Sequence, residues 1–268
     1  MSEAHLEDPG AAEPFKRTLA TYWNDRSGAF DREQGIRNSQ QKQAWLGFLS
    51  RTAGTEPKAV LDVGTGPGFL ALLLAELGHH VKGLDLSPGM VAQARRIAAE
   101  RGSSATFDIG DAESLPEADA SYDVLVSRNV LWTLPRPERA LADWRRVLKP
   151  GSLLVVVDGN WFDDSLGYRF QHFLGHLIVL VIRFKNSWAA ERRLRQGYDR
   201  EFDANLPLKS PGNRRRFPRL IAEAGFTDVR LLNLPEINRA ERAGKRLAER
   251  LLHPYQFFAV VARRAEER

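Results

Sequence analysis

The sequence predicts an α/β three-layer sandwich, with a mostly parallel seven-stranded sheet, N-terminal helices and a helical lid insert. Three observations predict it. Strand-like and helix-like segments alternate over about 100 residues from Ala59 onward, which implies a parallel sheet with helices on both faces. The strands are short continuous apolar runs, as in a sheet covered on both sides. A glycine-rich turn joins the first strand of the series to its first helix, where open α/β sheets bind ligands.

The segments follow in order. Met1 to Pro14 is acidic and rich in small residues, and reads as a disordered lead-in. It has no basic stretch followed by an apolar one, so it does not read as a secretory signal. Phe15 to Thr52 is helical, with Phe15, Leu19, Tyr22 and Trp23 on one face. Asn24-Asp25-Arg26-Ser27-Gly28 is expected to break it, and a second helix from Ser39 to Leu49 to bury Trp45 and Leu49. Ala53 to Pro57 is a linker. Ala59 to Val63 is strand one, and Phe69 to Leu77 a helix apolar nearly all round and therefore buried, closed by Gly78. Val81 to Leu86 is strand two. Ser87-Pro88 starts a helix to Arg101, with proline in the first turn where its missing N–H costs nothing. Ala105 to Ile109 and Tyr122 to Ser127 are strands three and four. Pro137 to Leu148 is a helix stopped by Lys149-Pro150-Gly151, and Ser152 to Asp158 is strand five. Asn160 to Pro207 breaks the alternation with a helical, aromatic and basic insert. Arg216 to Ala224 is a helix, Gly225-Phe226 a turn, Val229 to Leu234 a strand, Glu241 to Leu252 a charged helix and Tyr255 to Arg263 the last strand. The resulting division is 1–14 lead-in, 15–52 helical cap, 53–159 ligand-binding core, 160–207 lid and substrate insert, and 208–268 the remainder of the core.

Composition removes several function classes. The chain of 268 residues is 43% apolar and has no cysteine, so disulfides, thiolate metal sites and a cysteine nucleophile are excluded. This composition is compatible with a cytoplasmic protein, which is the expectation. The longest apolar run, Leu177 to Ile182, is far short of the roughly 20 residues a membrane span needs. The formal charge is +5, but the basic residues are spread along helices, with Arg214-Arg215-Arg216 the tightest cluster. Solvated helix faces account for this better than nucleic-acid binding does.

Gly64-Thr65-Gly66-Pro67-Gly68 lies between strand one and a helix. Glycines allow a sharp turn and close approach to a ligand, and the helix N-terminus offers free N–H groups. The dinucleotide fingerprint needs a glycine at its sixth position, where Phe69 stands, and the lysine of the NTPase phosphate loop is missing. NAD(P) and ATP therefore both fit poorly. Asp85 ends strand two, 21 residues after Gly64. A carboxylate there can accept both hydroxyls of a ribose.

Residues 59–158 resemble class I S-adenosylmethionine (SAM) dependent methyltransferases, in their small-molecule, type 11-like branch. Leu61-Asp62-Val63-Gly64-Thr65-Gly66-Pro67-Gly68-Phe69-Leu70 resembles the family's first motif, and Leu84-Asp85-Leu86-Ser87 with Met90 its second. Gly110-Asp111-Ala112-Glu113-Ser114-Leu115-Pro116 resembles the adenine-contacting segment, Tyr122-Asp123-Val124 through Asn129 strand four and its loop, and Leu148 to Leu153 the turn into strand five. The resemblance implies a Rossmann-like methyltransferase fold with SAM as cofactor. It implies that Asp62, Gly64, Thr65, Gly66 and Gly68 lie at the methionine part, that Asp85 holds the ribose, and that Leu86 and Met90 pack on the adenine. Asp111 would bond the adenine amino group, Ala112 would contribute its backbone, and Ser127 and Arg128 would lie near the amino-acid end. Tyr22, Trp23, Arg26 and Phe30 resemble the aromatic lead-in that closes over the cofactor, Phe30 standing where many relatives have tyrosine. The loop Ser127 to Trp132 resembles the small-molecule branch rather than the Asn-Pro-Pro-Tyr loops of nucleic-acid enzymes.

The methyl of SAM is already electrophilic, so the protein's task is to align a nucleophile and exclude water, and no general base is obligatory. The sequence names no catalytic residue. Asn129 and Trp132, with Asp158 to Trp161, should border the acceptor at the strand ends. Asn129, Tyr22 and His172 are the candidates. His172 and His176 share a helix face, but no carboxylate motif accompanies them and no metal is expected. Phe173 to Phe184 suits a buried lid helix or a homodimer contact better than a membrane-surface patch. Methyl transfer to O, N, S or C of a small molecule, in secondary or specialised metabolism, is the expectation. The alternatives are an enzyme attacking another carbon beside the sulfonium and a non-catalytic SAM-binding protein.

Overall fold

The computed structural model describes residues 9–36, 38–160, 206–208, 213–243, 250 and 256–266. Its elements are α1 (Pro9–Gln34), α2 (Ser39–Ala53), β1 (Ala59–Val63), α3 (Phe69–Glu76), β2 (His80–Asp85), α4 (Pro88–Arg101), β3 (Thr106–Ile109), β4 (Tyr122–Arg128), α5 (Pro137–Val147), β5 (Leu148–Gly159), α6 (Asn213–Glu223), β6 (Phe226–Asn233), α7 (Pro235–Ala243) and β7 (Phe257–Arg264). The strands form one seven-stranded sheet in the order β3-β2-β1-β4-β5-β7-β6. Only β7 is inverted, running antiparallel to both β5 and β6. The expected three layers and mostly parallel sheet are what is found.

Side-chain alternation sorts the sheet residues onto two cores. Val60, Val124, Val126, Val155 and Val157 face a core shared with α2, α3, α4 and α7. Leu61, Leu125, Leu154 and Val156 face the other, shared with α1, α5 and α6. The register pairs Val63 with both Leu84 and Ser127, so the C-terminal ends of β1, β2 and β4 meet at one point. No helix among the described residues is long and apolar enough to cross a membrane.

Several boundaries differ from the sequence reading, each for a physical reason. The helix α1 begins at Pro9, inside the stretch read as a lead-in, and runs unbroken through Asn24 to Gly28. Asn24 is held by its surroundings: its Oδ1 accepts from Gly89 N at the start of α4 (2.9 Å), while Ser27 bonds back to Asn24 O (2.8 Å). Tertiary partners here outweigh weak helix propensity. Lys149-Pro150-Gly151 does not precede β5 but lies inside it, as an irregularity that shifts the register between Tyr122–Leu148 and Val124–Leu153. In β6 a similar shift at Asp228 (φ 51°) lets the strand begin at Phe226, where a turn was expected. The helix α7 starts at Pro235, before the helix expected from Glu241. Its buried side includes Glu241, which accepts from Gln41 Nε2 (2.8 Å) and Trp45 Nε1 (3.1 Å). Residues 161–205, with Trp161, His172, His176 and Phe173 to Phe184, lie outside the described residues, as do residues 244–249 and 251–255.

His79, just before β2, is buried and donates from Nε2 to Gly54 O (3.1 Å). Burial holds its pKa below the ordinary value. A depressed histidine contributes stability above its unfolded pKa of about 6.5 and loses it as the pH falls toward the folded value. The unfolding temperature of the native chain should therefore decline as the pH falls below about 6.5, and His79→Gln should flatten that decline. Parallel pH profiles of the two proteins would overturn this assignment.

Candidate functional site

Where β1, β2 and β4 converge, the chain turns through Gly64 to Gly68. Gly64 N and Thr65 N both donate to Leu84 O, at 2.8 and 2.9 Å. This path requires left-handed backbone at Gly64 (φ 67°), Gly66 (φ 55°) and Gly68 (φ 88°), the region that glycine enters at no steric cost. Space is a second constraint: a Cβ on Gly64 would lie 2.2 Å from Val130 Cγ2. The turn has no room for a side chain at Gly64 or at Gly68, where a Cβ would lie 2.9 Å from Phe107 Cζ.

Two carboxylates lock it. Asp62 is buried, and its Oδ2 accepts from Thr65 Oγ1 (2.7 Å) and Ala71 N (3.1 Å). It thereby ties the turn to the first turn of α3. Burial raises its pKa to about 7, with the Asp85 carboxylate pushing the same way and Arg128 opposing. Asp85 accepts from Gly66 N (2.8 Å) with one oxygen and from Ser87 N (2.9 Å) with the other. Burial raises its pKa as well. Each Asp85 oxygen holds one backbone donor, and a carboxylate oxygen has capacity for a further hydroxyl.

Around this centre the sequence-predicted residues fall into two groups. One group lies on α1, at the start of α4 and after β3. Ser87 caps α4 by accepting from Met90 N (3.2 Å); Met90 is buried and Leu86 half-buried. Ala112 O accepts from Trp144 Nε1 (2.9 Å). Asp111 accepts from Glu113 N with Oδ1 (2.9 Å), and its Oδ2 lies 2.5 Å from Lys16 Nζ. Lys16 also pairs with fully buried Glu113 (2.7 Å), which in turn pairs with Arg136 (3.0 Å). On α1 the Arg26 guanidinium stacks 4.9 Å over the Tyr22 ring, and Tyr22 meets Trp23 edge-on at 5.2 Å.

The other group sits at the ends of β4 and β5. Ser127 is fully buried and donates to Val63 O (3.0 Å), so it joins β4 to β1. Arg128 lies 3.9 Å over the Phe69 ring, with Trp45 and Phe257 at 5.3 and 5.4 Å. Such an aromatic box holds a cation in place. Asn129 has left-handed backbone (φ 61°), a conformation asparagine tolerates. Its Oδ1 is buried and has no hydrogen-bond partner among the described residues. Asp158 is fully buried, and Trp132 nearly so.

Sequence reasoning missed Lys16, Glu113 and Arg136. A signal for the first was available: Lys16, Leu19 and Trp23 share the buried side of α1 at helical spacing, and a lysine there needs a carboxylate partner. Val130, whose methyl groups set the space at Gly64, left no signal in the sequence. Among the described residues no group of three His, Asp or Glu side chains is arranged to hold a metal.

The site thus combines a glycine-rich turn open to close approach, Asp85 with one backbone donor on each oxygen, buried Asp62 and an arginine held in an aromatic box. A methyltransferase-domain family model matches residues 61–156. A ubiquinone/menaquinone biosynthesis C-methyltransferase of Methylobacterium nodulans is 31% identical over 202 residues, covering 70% of this chain and 74% of the relative. A demethylmenaquinone methyltransferase of Thermus thermophilus is 41% identical over 104 residues, covering 38% of this chain. The chain spans about half the length of that relative, 47%. A solved SAM-dependent methyltransferase from Aquifex aeolicus aligns with TM-score 0.56 at 17% identity, covering 90% of this chain and 97% of the other, which is a likeness of fold. The family match and the relative covered over most of its length together establish that the chain belongs to the class I SAM-dependent methyltransferase family.

Proposed function

We propose that this protein transfers the methyl group of SAM to a small-molecule acceptor. The observation that carries the reading is the pairing of the cradle at Gly64 to Gly68 with Asp85, whose carboxylate is already oriented by Gly66 N and Ser87 N. When bound, SAM supplies an activated methyl on a sulfonium. The chain's residues bind, orient and shield it. Asp85 accepts the ribose hydroxyls, Leu86 and Met90 cover the adenine, and Asp111 with the Ala112 backbone meets its polar edge. Arg128, fixed by its aromatic box, faces the carboxylate end. Asp62 offsets the positive charge from inside the turn.

The acceptor then approaches from the ends of β4 and β5. Asn129 Oδ1, a buried acceptor atom, is placed to orient a donor group there, and Trp132 contributes an apolar wall. The segment 160–207, with His172, is the proposed lid that selects the acceptor, and Tyr22 on α1 the proposed closure on the opposite side. The relatives named above act on quinone precursors by their names, and another, from Halobacterium salinarum, is an arsenite methyltransferase, 37% identical over 105 residues. That range supports a small acceptor and leaves O, N, S and C open as the methylated atom.

Calorimetry with SAM tests the donor site. Asp85→Ala should weaken binding by about ten- to a hundredfold, the worth of charged hydrogen bonds to two hydroxyls. Unchanged affinity would refute the ribose placement. Product analysis of a turnover reaction should give S-adenosylhomocysteine; methylthioadenosine instead would mean attack at another carbon.

The acid in the turn predicts a pH dependence. With a pKa of about 7, Asp62 is largely protonated at pH 6 in the ligand-free protein. A cationic ligand favours the carboxylate, so binding releases a proton below that value and the affinity for SAM should rise severalfold from pH 6 to 8. Asp62→Asn should remove that rise, and a rise unchanged in the variant would assign it to another group.

A further inference from the structure

Along the β6–β7 side of the sheet, under α2 and α7, lies a cavity of about 480 Å³ that reaches the end opposite the glycine turn at Leu153, Arg230 and Arg263. Its position follows from strand direction. Because β7 is inverted, Arg263 near its C-terminal end pairs with Leu153, where the regular part of β5 begins. On the neighbouring strand Arg230 pairs with Val261. Helix α2 roofs one side of this corner through Phe48 and Arg51, and α7 the other through Glu236 and Ile237. The floor is apolar, made by buried Leu153, Leu234 and Val261, and buried Phe48 and Ile237 add apolar surface from the two roofing helices.

The rim is cationic. Arg51 is neutralised by Glu236 at 3.1 Å. Arg263 donates to the neutral Gly151 O (2.8 Å). Among the described residues neither Arg230 nor Arg263 has a carboxylate at ion-pair distance. Two exposed guanidinium groups, neither with a carboxylate at ion-pair distance among the described residues, therefore border a hydrophobic floor, in a cavity of the size that takes a small molecule. Guanidinium is the side chain best matched to a carboxylate, which it can hold through two parallel hydrogen bonds.

We propose that this cavity is a second ligand site, for a small amphipathic carboxylate whose apolar body lies on Phe48, Leu234 and Val261 and whose charge meets Arg230 and Arg263. The two features together favour this occupant over others. A bare inorganic anion leaves the floor wet, an uncharged apolar molecule leaves the arginines without a counter-charge, and a cation meets like charge. The site shares no residue with the cofactor cradle, so the two are separable by experiment.

Decanoate below its micellar concentration is a suitable probe, titrated by calorimetry into the full-length chain with and without saturating S-adenosylhomocysteine. One molecule should bind per chain, with S-adenosylhomocysteine present or absent. Arg230→Glu should weaken decanoate by at least about tenfold and Ala44→Phe, which narrows the floor from α2, by a similar factor, while SAM affinity stays as in the native chain. Arg230→Lys, which keeps the charge but loses the paired hydrogen bonds, should weaken decanoate less than Arg230→Glu does. Decanol and inorganic phosphate should each bind about tenfold more weakly than decanoate. The proposal fails if decanoate does not bind, if binding survives Arg230→Glu, or if phosphate binds equally well. It also fails if S-adenosylhomocysteine or an acceptor analogue displaces the probe, which would place decanoate in the methyl-acceptor site.

Discussion

The carbonyl of Leu84 and the two carboxylates flanking the turn, Asp62 and Asp85, accept the hydrogen bonds on which the site depends. Gly64 N, Thr65 N, Gly66 N, Thr65 Oγ1 and Ala71 N all end on these three groups. The arrangement is costly, since burying a carboxylate without a full counter-charge disfavours its ionised form, and the pKa values of both acids are raised for that reason. Its return is rigidity. A turn whose donors are already committed presents its remaining surface in one geometry, and positioning is the main contribution a protein makes to a reaction whose electrophile is activated beforehand. The same geometry dictates the glycines, because Val130 occupies the space a Cβ on Gly64 would need.

A second buried electrostatic unit ties the N-terminal helix to this centre. Lys16 reaches across from α1 to Asp111 and Glu113, and Arg136 at the start of α5 closes on Glu113 from the other side. A buried lysine is tolerable only with partners of this kind, and removing one member leaves the others uncompensated. The cluster therefore fixes where α1 lies more than it adds to net stability. Asn24, bonded to Gly89 N, fixes the helix again at the start of α4. Both attachments fall on segments next to the proposed adenine contacts, Met90 and Asp111, so the position of α1 is set together with those segments.

These long-range attachments explain which parts of the fold were legible in the sequence. β1 was read with its observed limits, Ala59 to Val63, because a buried parallel strand ending in glycines has a local signature. Ser87 was legible as a cap for the same reason. α1 was misread as broken at Asn24 to Gly28 because what holds it there is a partner on α4, which spacing and propensity do not reveal. Glu241, the first residue of a helix read as charged, is buried under Gln41 and Trp45, again through partners about two hundred positions away. The candidate site divides likewise. The turn and Asp85 were legible as a motif, whereas the roles of Ser127 as a joint between β4 and β1 and of Arg128 as the occupant of an aromatic box depend on neighbours brought in by the sheet.

The inverted strand links the two ends of the molecule. β7 begins with Phe257, paired with Gly159 at the C-terminal end of β5, and Arg263 near its other end is paired with Leu153. Its first residue thus enters the box around Arg128, while a residue near its end joins the cationic rim of the distal cavity. A parallel strand in this position would exchange those ends, setting a basic residue beside Arg128 and an aromatic ring at the far rim. Like charge beside Arg128 would weaken its hold in the box. The one antiparallel strand in the sheet is therefore a condition for the electrostatics of the cofactor end, and the basic rim at the distal cavity is the counterpart of that same inversion.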